Sequence, residues 1–247
     1  MEGGDLIFGI HSVREALASG KNFEKIFIQD RLKNEGIREI KVLLKERGLT
    51  CQFVPQEKLN RLTKNRNHQG AAAFLSVIEY PEIENIVSDV QESGEFPLVL
   101  ILDRITDVRN FGAICRSAEC MGVHAVVVPA RGAALIGPDA MKTSAGALNR
   151  IPVCKSDNLK ETLEFLKDSG LKIASCTEYG EKTCQHADLH GPLALILGSE
   201  EDGISGEYLK LSEEKIKIPM MGQTGSLNVS VAAGILLYEV LRQRSQS

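Results

Sequence analysis

The chain contains the stretch Gly222-Gln223-Thr224-Gly225-Ser226-Leu227-Asn228-Val229-Ser230, which lies between the apolar segment 216–220 and a helical pattern that ends at Arg244. The glycines allow close backbone approach and positive φ angles. Ser226 and Asn228 place short polar side chains at the mouth of the helix, where backbone N–H groups can bind a ligand. The stretch therefore indicates a ligand-binding turn that leads into a helix.

Two earlier blocks have the same character. One is Asn110-Phe111-Gly112-Ala113-Ile114-Cys115-Arg116-Ser117-Ala118, and the other is Leu197-Gly198-Ser199-Glu200-Glu201-Asp202-Gly203. Each follows a short apolar run that is typical of a buried strand. We expect the three blocks to fold back and form a single pocket.

The apolar runs of the second part of the chain predict its architecture. They are rich in β-branched residues and leucine, and they alternate with helix-length segments at 98–102, 125–128, 171–175, 193–197 and 215–218. Such runs are typical of strands buried on both faces, and hence of a parallel sheet covered by helices. The prediction is an α/β fold in this part of the chain.

The first part of the chain predicts a smaller α/β module. Helical patterns at 12–18 and 36–47 alternate with strand-like segments at 25–28, 51–54 and 71–77. A polar and acidic stretch with two prolines follows. We expect a substrate-binding domain over residues 1–77, a linker over 78–96 and a larger domain over 97–247.

Composition excludes several classes of protein. With 43% apolar and 25% charged residues, the chain is typical of a soluble globular protein. No apolar run approaches the roughly 20 residues of a membrane helix. The start of the chain lacks the pattern of a secretory signal, which predicts a cytoplasmic protein. The six cysteines form no Cys-x-x-Cys pair and show no His spacing that suggests a zinc site, so we expect reduced core residues and no metal site.

Two cofactor classes lose support because their motifs are missing. No Gly-x-Gly-x-x-Gly follows a predicted strand, and no Gly-x-x-x-x-Gly-Lys-Ser/Thr phosphate loop occurs. The segment 103–107 stands after the first strand of the larger domain, where ordinary nucleotide-binding folds carry a glycine-rich loop. Nicotinamide chemistry and nucleotide triphosphate hydrolysis are therefore disfavoured.

In this order and at these separations, the three blocks resemble the signature motifs of the SpoU/TrmH family of RNA ribose 2′-O-methyltransferases. The segments 7–13 and 68–70 resemble the family's substrate-binding domain, so the resemblance covers nearly the whole chain. It implies a SPOUT-type domain with a C-terminal trefoil knot, and S-adenosylmethionine as the methyl donor. It also implies a homodimer joined through the C-terminal domains.

Within the family, the N-terminal domain is most similar to that of members that methylate a guanosine of large-subunit (23S) ribosomal RNA, in the peptidyl-transferase P loop. Two alternatives remain open. One is a transfer-RNA methyltransferase of the same family. The other is a catalytically silent RNA-binding paralogue, which would be expected to have lost Arg116, Glu200 or Asn228, whereas the chain retains all three.

The resemblance also assigns roles to individual residues. The implied catalytic set is Arg116, Asn110, Glu200, Ser226 and Asn228. The implied cofactor-binding set is Gly198, Ile218, Leu227, Leu197, Met220, Ser226 and Asn228. A guanidinium keeps its proton at almost any accessible pH. We therefore expect Arg116 to position a phosphate and stabilise developing oxyanion charge, and we leave the proton acceptor open.

Each of these residue types also has an ordinary structural explanation. An arginine on such a helix more usually forms a surface ion pair, and an asparagine such as Asn110 is a common helix N-cap. Ile218 and Leu227 taken alone would be core residues. Ser226 and Asn228 would be simple helix caps.

Charge is unevenly distributed along the chain. The net charge is −4, yet residues 1–80 carry 13 Lys/Arg against 10 Asp/Glu, whereas residues 81–247 carry 16 against 23. The basic part contains the expected RNA-binding residues, which are Arg61, Lys64, Arg66, His68 and Gln69. They are expected to contact RNA by phosphate attraction, stacking and hydrogen bonds. The structural alternative is a solvated loop with a buried histidine.

Overall fold

The computed structural model of the chain describes residues 6–245. These residues divide into two units, one formed by 6–79 with the short segment 135–138 and the other by 80–134 with 139–245. Among them, no helix is both long and apolar enough to cross a membrane.

The first unit is a four-stranded sheet with helices on both faces. Its elements are β1 Leu6–Phe8, α1 Ile10–Ala18, β2 Phe23–Gln29, α2 Glu35–Glu46, β3 Gln52–Val54, α3 Gln56–Leu62 and β4 Ala71–Leu75. The strand order is β1-β4-β2-β3, with β4 antiparallel to both neighbours and β2 parallel to β3. The predicted helices and strands of this unit are present, and β1 and α3 are additional.

Alternation along β4 sorts its side chains between the two faces of this sheet. Ala71 and Ala73 pack with the buried faces of α1 and α2, whereas Ala72 and Phe74 pack with Leu59 of α3. Successive residues of a strand point to opposite faces, so one strand serves both cores. Small side chains suit a central strand covered by helices on either side.

The second unit is a parallel sheet of seven strands. Its elements are α4 Ile83–Glu92, β5 Leu98–Asp103, α5 Val108–Cys120, β6 Ala125–Pro129, α6 Pro138–Thr143, β7 Val153–Ser156, α7 Leu159–Asp168, β8 Lys172–Cys176, β9 Lys182–Thr183, β10 Leu193–Gly198, α8 Gly206–Leu211, β11 Glu214–Lys217 and α9 Val229–Arg244. The strand order is β7-β6-β5-β10-β8-β11-β9, and every pairing is parallel.

The parallel sheet confirms the prediction of an α/β fold from the apolar runs. All six residues of β5 are buried, as expected for a strand covered on both faces. On one face, Val99 and Ile101 pack with apolar residues of α4 and α7. The sequence did not predict β7 or β9, because a strand of two to four residues with polar positions carries little periodicity.

The stretch expected to be a linker is partly structural. It contains α4, and Ile83 and Val87 of this helix are buried in the core of the second unit. These two residues lie one turn apart on the same helical face, which explains how a mostly polar segment packs on the sheet. Residues 78–82 and 93–96 of the expected linker form neither helix nor strand.

Gly112 offers a test of helix packing in the second unit. Glycine in a helix normally costs about 1 kcal/mol relative to alanine. A Cβ atom at Gly112, however, would lie 2.7 Å from Thr143 Cβ and 3.0 Å from the carbonyl oxygen of Ala140. We expect Gly112→Ala to lower the free energy of unfolding by about 1–3 kcal/mol, as overpacking does. Gly206→Ala is the control, because a Cβ there meets open space. Chemical denaturation that found Gly112→Ala as stable as this control would contradict the packing.

Candidate functional site

The three sequence blocks meet at one edge of the parallel sheet. The first block begins α5, which follows β5, and the second block continues from the end of β10. β5 and β10 are neighbours, with Gly198 paired opposite Asp103 at their carboxyl ends. The third block follows β11, two strands further along. Loops at the carboxyl ends of parallel strands share one side of the sheet, which is where such folds bind ligands.

One residue from each block joins a shared hydrogen-bond triad. Asn110 Nδ2 donates to Glu200 Oε1 at 3.2 Å, and Asn228 Nδ2 donates to the same oxygen at 2.8 Å. Asn228 Nδ2 also donates to Asn110 Oδ1 at 3.0 Å, and the backbone N–H of Val229 donates to Glu200 Oε1 at 3.3 Å. A single carboxylate oxygen thus accepts three hydrogen bonds, and the triad ties the three loops together. Bonds to an ionised acceptor are stronger than neutral ones.

Asn228 also caps a helix. Its Oδ1 accepts from the backbone N–H groups of Ser230 and Val231, at 3.0 Å and 3.4 Å, which makes Asn228 the N-cap of α9. Asn110, by contrast, is not a cap. Asp107 occupies that position in α5 and accepts from the N–H groups of Arg109 and Asn110. The capping alternative is therefore wrong for Asn110, and for Asn228 capping accompanies the triad.

A cavity of about 440 Å³ opens beside the triad. It is lined by backbone and side chains from the ends of β8, β10 and β11 and from the third block. Among the expected cofactor residues, those lining it are Leu197, Gly198, Ile218, Met220, Ser226 and Leu227. Asn228 is the exception, because it does not line the cavity and its amide is used in the triad.

Three apolar residues of the cavity, Ile218, Met220 and Leu227, are not core residues, whereas Leu197 is buried. Leu227 and Met220 have 38% and 39% of their surface exposed, and Ile218 is half-buried. Taken alone, Ile218 and Leu227 were expected to be core, and this alternative is wrong. Exposed apolar side chains around a concavity are typical of a ligand site.

Gly198 is required by a close backbone approach at the end of β10. A Cβ atom there would lie 2.1 Å from the carbonyl carbon of Gly203 and 2.3 Å from the nitrogen of Ile204. The loop between them closes through a backbone hydrogen bond from Gly203 N to Ser199 O at 3.0 Å. The turn therefore folds back tightly over the strand, and its backbone forms part of the cavity wall.

The walls of the cavity carry acidic groups and a neutral thiol. The carboxylates of Glu178, Glu200, Glu201 and Asp202 line it. Cys176 also lines it, and burial raises the pKa of this thiol to about 12, so that it stays protonated near neutral pH. The lining suits a ligand that carries positive charge.

An arginine clamp holds the acidic loop, and sequence reasoning missed it. Arg104 donates to both carboxylate oxygens of buried Asp103, to Asp202 Oδ2 at 3.1 Å and to the carbonyl of Gly203 at 3.1 Å. The hydrogen bond with Asp103 raises the pKa of the guanidinium. Asp103 also accepts from the backbone N–H of Ser205 at 2.7 Å. The available signal was an Asp-Arg pair that directly follows a fully apolar strand.

Arg116 lies apart from the cavity in its own chain. It is exposed on α5 and lines neither the cavity nor the adjoining cleft beside Asn110. Six residues separate it from Asn110, which places the two on different helical faces and about 9 Å apart along the axis. Arg116 makes no ion pair within residues 6–245, so the surface ion-pair alternative is not realised.

Helix α9 presents an exposed apolar face near α5, against which it packs. The exposed fractions are 50% for Val231, 38% for Ile235 and 59% for Tyr238. These residues recur at helical spacing, so they form a continuous stripe. A stripe of this kind on a terminal helix is typical of a surface that contacts another protein.

The expected RNA-binding residues fall into two groups in the first unit. Arg61, Lys64, Arg66 and Gln69 are exposed, whereas His68 is 6% exposed. His68 Nδ1 accepts from the backbone N–H of Gly70, and His68 Nε2 contacts Asn60 Oδ1. Both ring nitrogens are used within the protein, so the expected direct contact of this ring with RNA does not fit the structure. The sequence around a single histidine carries too little signal to predict that its ring is buried.

The described part of the chain contains no candidate metal site. Between residues 6 and 245, no three His, Cys, Asp or Glu side chains gather in a way that could hold a metal ion.

Two family profiles match the two parts of the chain. The profile of the SpoU rRNA methylase family matches residues 97–238, and that of the RNA 2′-O ribose methyltransferase substrate-binding domain matches residues 6–81. A Bacillus subtilis (strain 168) protein is 35% identical over 98% of this chain and 96% of its own length. Its name assigns it to the TrmH family of tRNA/rRNA methyltransferases.

Solved structures share the fold. The SpoU methyltransferase AviRb of Streptomyces viridochromogenes, in complex with AdoMet, has a TM-score of 0.63 at 24% identity, and the match covers 99% of this chain and 92% of AviRb. An RNA 2′-O ribose methyltransferase has a TM-score of 0.56 at 28% identity, over 96% of this chain and 88% of its own.

The triad predicts how Glu200 variants behave. Glu200→Ala removes the acceptor of two donors that are exposed to water and of the partly buried Val229 N–H, so we expect a loss of about 1 kcal/mol in stability. We expect a larger effect on the cavity, because the three loops lose their common anchor. Calorimetric titration with S-adenosylmethionine should show weaker binding for Glu200→Ala and an intermediate effect for Glu200→Gln, which keeps one acceptor oxygen. Glu207→Ala, an exposed carboxylate of α8, is the control. Unchanged affinity in Glu200→Ala would refute the anchoring role.

Proposed function

The chain belongs to the SpoU/TrmH family of RNA 2′-O-ribose methyltransferases, which use S-adenosylmethionine, and we propose that its substrate is a guanosine of large-subunit (23S) ribosomal RNA, in the peptidyl-transferase P loop. The observation that carries the proposed site is the meeting of the three sequence blocks at Glu200, beside the cavity that Gly198, Ile218 and Leu227 line.

The residues of the cavity fit S-adenosylmethionine. We assign the adenosine part to the apolar walls of Ile218, Leu227 and Met220 and to the backbone around Gly198, where no side chain intervenes. The carboxylates of Glu200, Glu201 and Asp202 complement the positive charge of a sulfonium group. When bound, S-adenosylmethionine supplies an electrophilic methyl group for the ribose oxygen. Ser226, which is exposed at the rim, is assigned to contact with the nucleotide.

Arg116 is assigned to the reaction from a second copy of the chain. It is exposed and makes no ion pair with another residue between 6 and 245, yet it lies outside the cavity of its own protomer. The apolar stripe of α9, next to α5, is the proposed dimer surface. We propose that a homodimer joined there brings the Arg116 of each protomer to the cavity of the other, and a two-fold axis makes the two sites equivalent.

The role of Arg116 is electrostatic. A guanidinium stays protonated near neutral pH, so Arg116 binds the adjacent phosphate and stabilises negative charge that develops on the ribose oxygen. Its planar fork suits bidentate contact with phosphate, which an ammonium cannot reproduce. The proton acceptor is not assigned to a residue. Glu200 and Asn110 act as positioning residues through the triad.

Ribosomal RNA is favoured over transfer RNA by the N-terminal unit. That unit matches the substrate-binding profile over residues 6–81, and the motifs 7–13 and 68–70 lie within it. The relatives are named for tRNA and rRNA together, so transfer RNA is the second candidate substrate. The silent-paralogue alternative has no support, because Arg116, Glu200 and Asn228 are all retained, and Asn228 donates a hydrogen bond to Glu200.

Transfer of labelled methyl groups tests the function. The purified chain with labelled S-adenosylmethionine should methylate ribosomal RNA from cells that lack this protein, and the modified position should map to a guanosine ribose. We expect Arg116→Ala to lose about 100-fold or more in rate, as when an oxyanion-stabilising group is removed. Arg116→Lys should remain impaired because the fork is lost. Labelling of transfer RNA alone would contradict the substrate, and near-normal activity of Arg116→Lys would contradict the fork geometry.

Mixed dimers test the assignment of Arg116 to the partner's site. Arg116→Ala and Gly198→Ala are each expected to be nearly inactive, the latter because a Cβ collides with the Gly203 backbone. In a heterodimer of the two, one site combines an intact cavity with an intact arginine. Dissociation and random reassociation of equal amounts should therefore restore about one quarter of wild-type activity. Two Arg116→Ala preparations mixed in the same way are the control. Failure of the mixed sample to recover activity, with heterodimers present, would place Arg116 in its own protomer's site.

A further inference from the structure

A groove of about 940 Å³ in the first unit has an unusual lining. Seven of its 16 lining residues are carboxamides, namely Gln29, Asn34, Gln56, Asn60, Asn65, Asn67 and Gln69. A carboxamide offers one acceptor and two donor hydrogens, so on its own it does not prefer a donor or an acceptor partner. The internal bonds of the protein remove this ambiguity for three of the seven.

Backbone donors orient two of the carboxamides. Asn34 Oδ1 accepts from the backbone N–H of Ile37 at 2.8 Å, and Gln69 Oε1 accepts from the backbone N–H of Ile10 at 3.2 Å. A backbone N–H can only donate, so in each side chain the atom facing the backbone must be oxygen. Both amides therefore keep their NH2 groups for other partners.

Buried His68 orients the third carboxamide. The backbone N–H of Gly70 donates to His68 Nδ1 at 2.9 Å, so Nδ1 is unprotonated and the ring proton lies on Nε2. Nε2–H then donates to Asn60 Oδ1 at 3.0 Å. Asn60 consequently also keeps its NH2 group for other partners. His68 thus acts as a positioning residue for Asn60.

The loop that carries part of this arrangement is held in a costly conformation. Lys64 and Gln69 both have a φ angle of 52°, in the left-handed region that such side chains seldom adopt. Gly70 has φ 88°, and a Cβ atom there would lie 2.2 Å from Leu32 Cδ2. Strained residues of this kind cluster at functional sites, where the surroundings hold them in place. The donor groups are therefore preorganised.

We propose that this groove binds one unpaired guanine of the RNA substrate and reads its acceptor edge, O6 and N7, with the NH2 groups of Asn34, Asn60 and Gln69. Adenine carries an amino group where guanine has O6, so a donor set disfavours it. Sequence-specific proteins read RNA chiefly at such unpaired bases. The inference rests on the proposed function, since RNA is the ligand.

A base fits this groove better than a phosphate does. Most of the lining is neutral, and Glu35 adds a carboxylate. Of the two arginines in the lining, Arg14 is paired with Glu39. The other, Arg66, lies over the Phe8 ring at 4.6 Å, which holds a planar cation beside the groove. A guanidinium in this position can stack on a base as well as attract the RNA backbone.

Short RNA probes test the base preference. The full chain is titrated, without S-adenosylmethionine, against three fluorescent 11-nucleotide RNAs whose central base is guanine, hypoxanthine or adenine, with adenosine at every other position. We expect the first two to bind up to about tenfold more tightly than the third, because hypoxanthine shares O6 and N7 with guanine. Equal binding of all three would overturn the proposal, as a phosphate contact predicts. So would hypoxanthine binding like adenine.

Isosteric variants assign the preference to the groove. Asn60→Asp keeps the acceptor for His68 Nε2–H, and Asn34→Asp keeps the N-cap oxygen, but each replaces an NH2 donor by an acceptor. In both variants, the ratio of the affinity for the guanine probe to the affinity for the adenine probe should fall towards one. Asn34→Ser keeps a capping oxygen without added charge and should also lower the ratio. Asn22→Asp, an exposed asparagine outside the groove, adds the same charge and should leave the ratio unchanged.

The outcomes separate this inference from the proposed function. The proposal that this groove reads guanine would be overturned if the groove variants kept the wild-type ratio of guanine-probe to adenine-probe affinity. It would also be overturned if Asn22→Asp lowered that ratio as much as the groove variants do. Thermal unfolding of each variant shows whether the unit remains folded. Absence of methyl transfer to any RNA would overturn the proposed function instead, and the ratio measurement does not depend on methyl transfer.

Discussion

The site depends on one carboxylate oxygen that three loops share. Glu200 Oε1 accepts from Asn110, Asn228 and the Val229 backbone, so the first, second and third sequence blocks have a common anchor. These loops follow strands that are far apart in sequence. Their proximity is a property of the parallel sheet, which directs the carboxyl ends of β5, β10 and β11 to the same side. Two of these three bonds are exposed to water, so their main contribution is to geometry and much less to overall stability.

Around that anchor, the cavity is shaped by backbone as much as by side chains. Gly198 admits the backbone of Gly203 at a distance that no side chain would tolerate, and the Arg104 clamp holds the same loop from its other side. The buried carboxylate of Asp103 is compensated by Arg104 and by the N–H of Ser205. A loop fixed at both ends can present backbone polar groups at constant positions. In this chain, residues 103–107 follow β5, where ordinary nucleotide-binding folds carry a glycine-rich loop.

The N-terminal unit shows the same principle with carboxamides. In Asn34, Asn60 and Gln69 an internal donor claims the oxygen and leaves the nitrogen for other partners. Neighbouring groups therefore decide whether a carboxamide donates or accepts toward a ligand. The sequence leaves both possibilities open, and the fold makes these three side chains donors. His68 illustrates the difference, since it was expected at the RNA surface and instead lies inside, where it orients Asn60.

The sequence by itself determined the class of fold and the family, and it predicted the three blocks that meet at the candidate site. Five apolar runs were enough to predict a buried parallel sheet, because strands covered on both faces need continuous apolar sequence. Three ordered blocks were enough for the family. Local sequence does not predict contacts between segments that are distant in the chain. The Asn110–Glu200–Asn228 triad, the Arg104 clamp and the packing of α4 were decided only by the tertiary structure. The tertiary structure also decided that Arg116 lies outside the cavity of its own protomer. Sequence spacing predicts which face of α5 a residue occupies, but it does not predict what that face contacts.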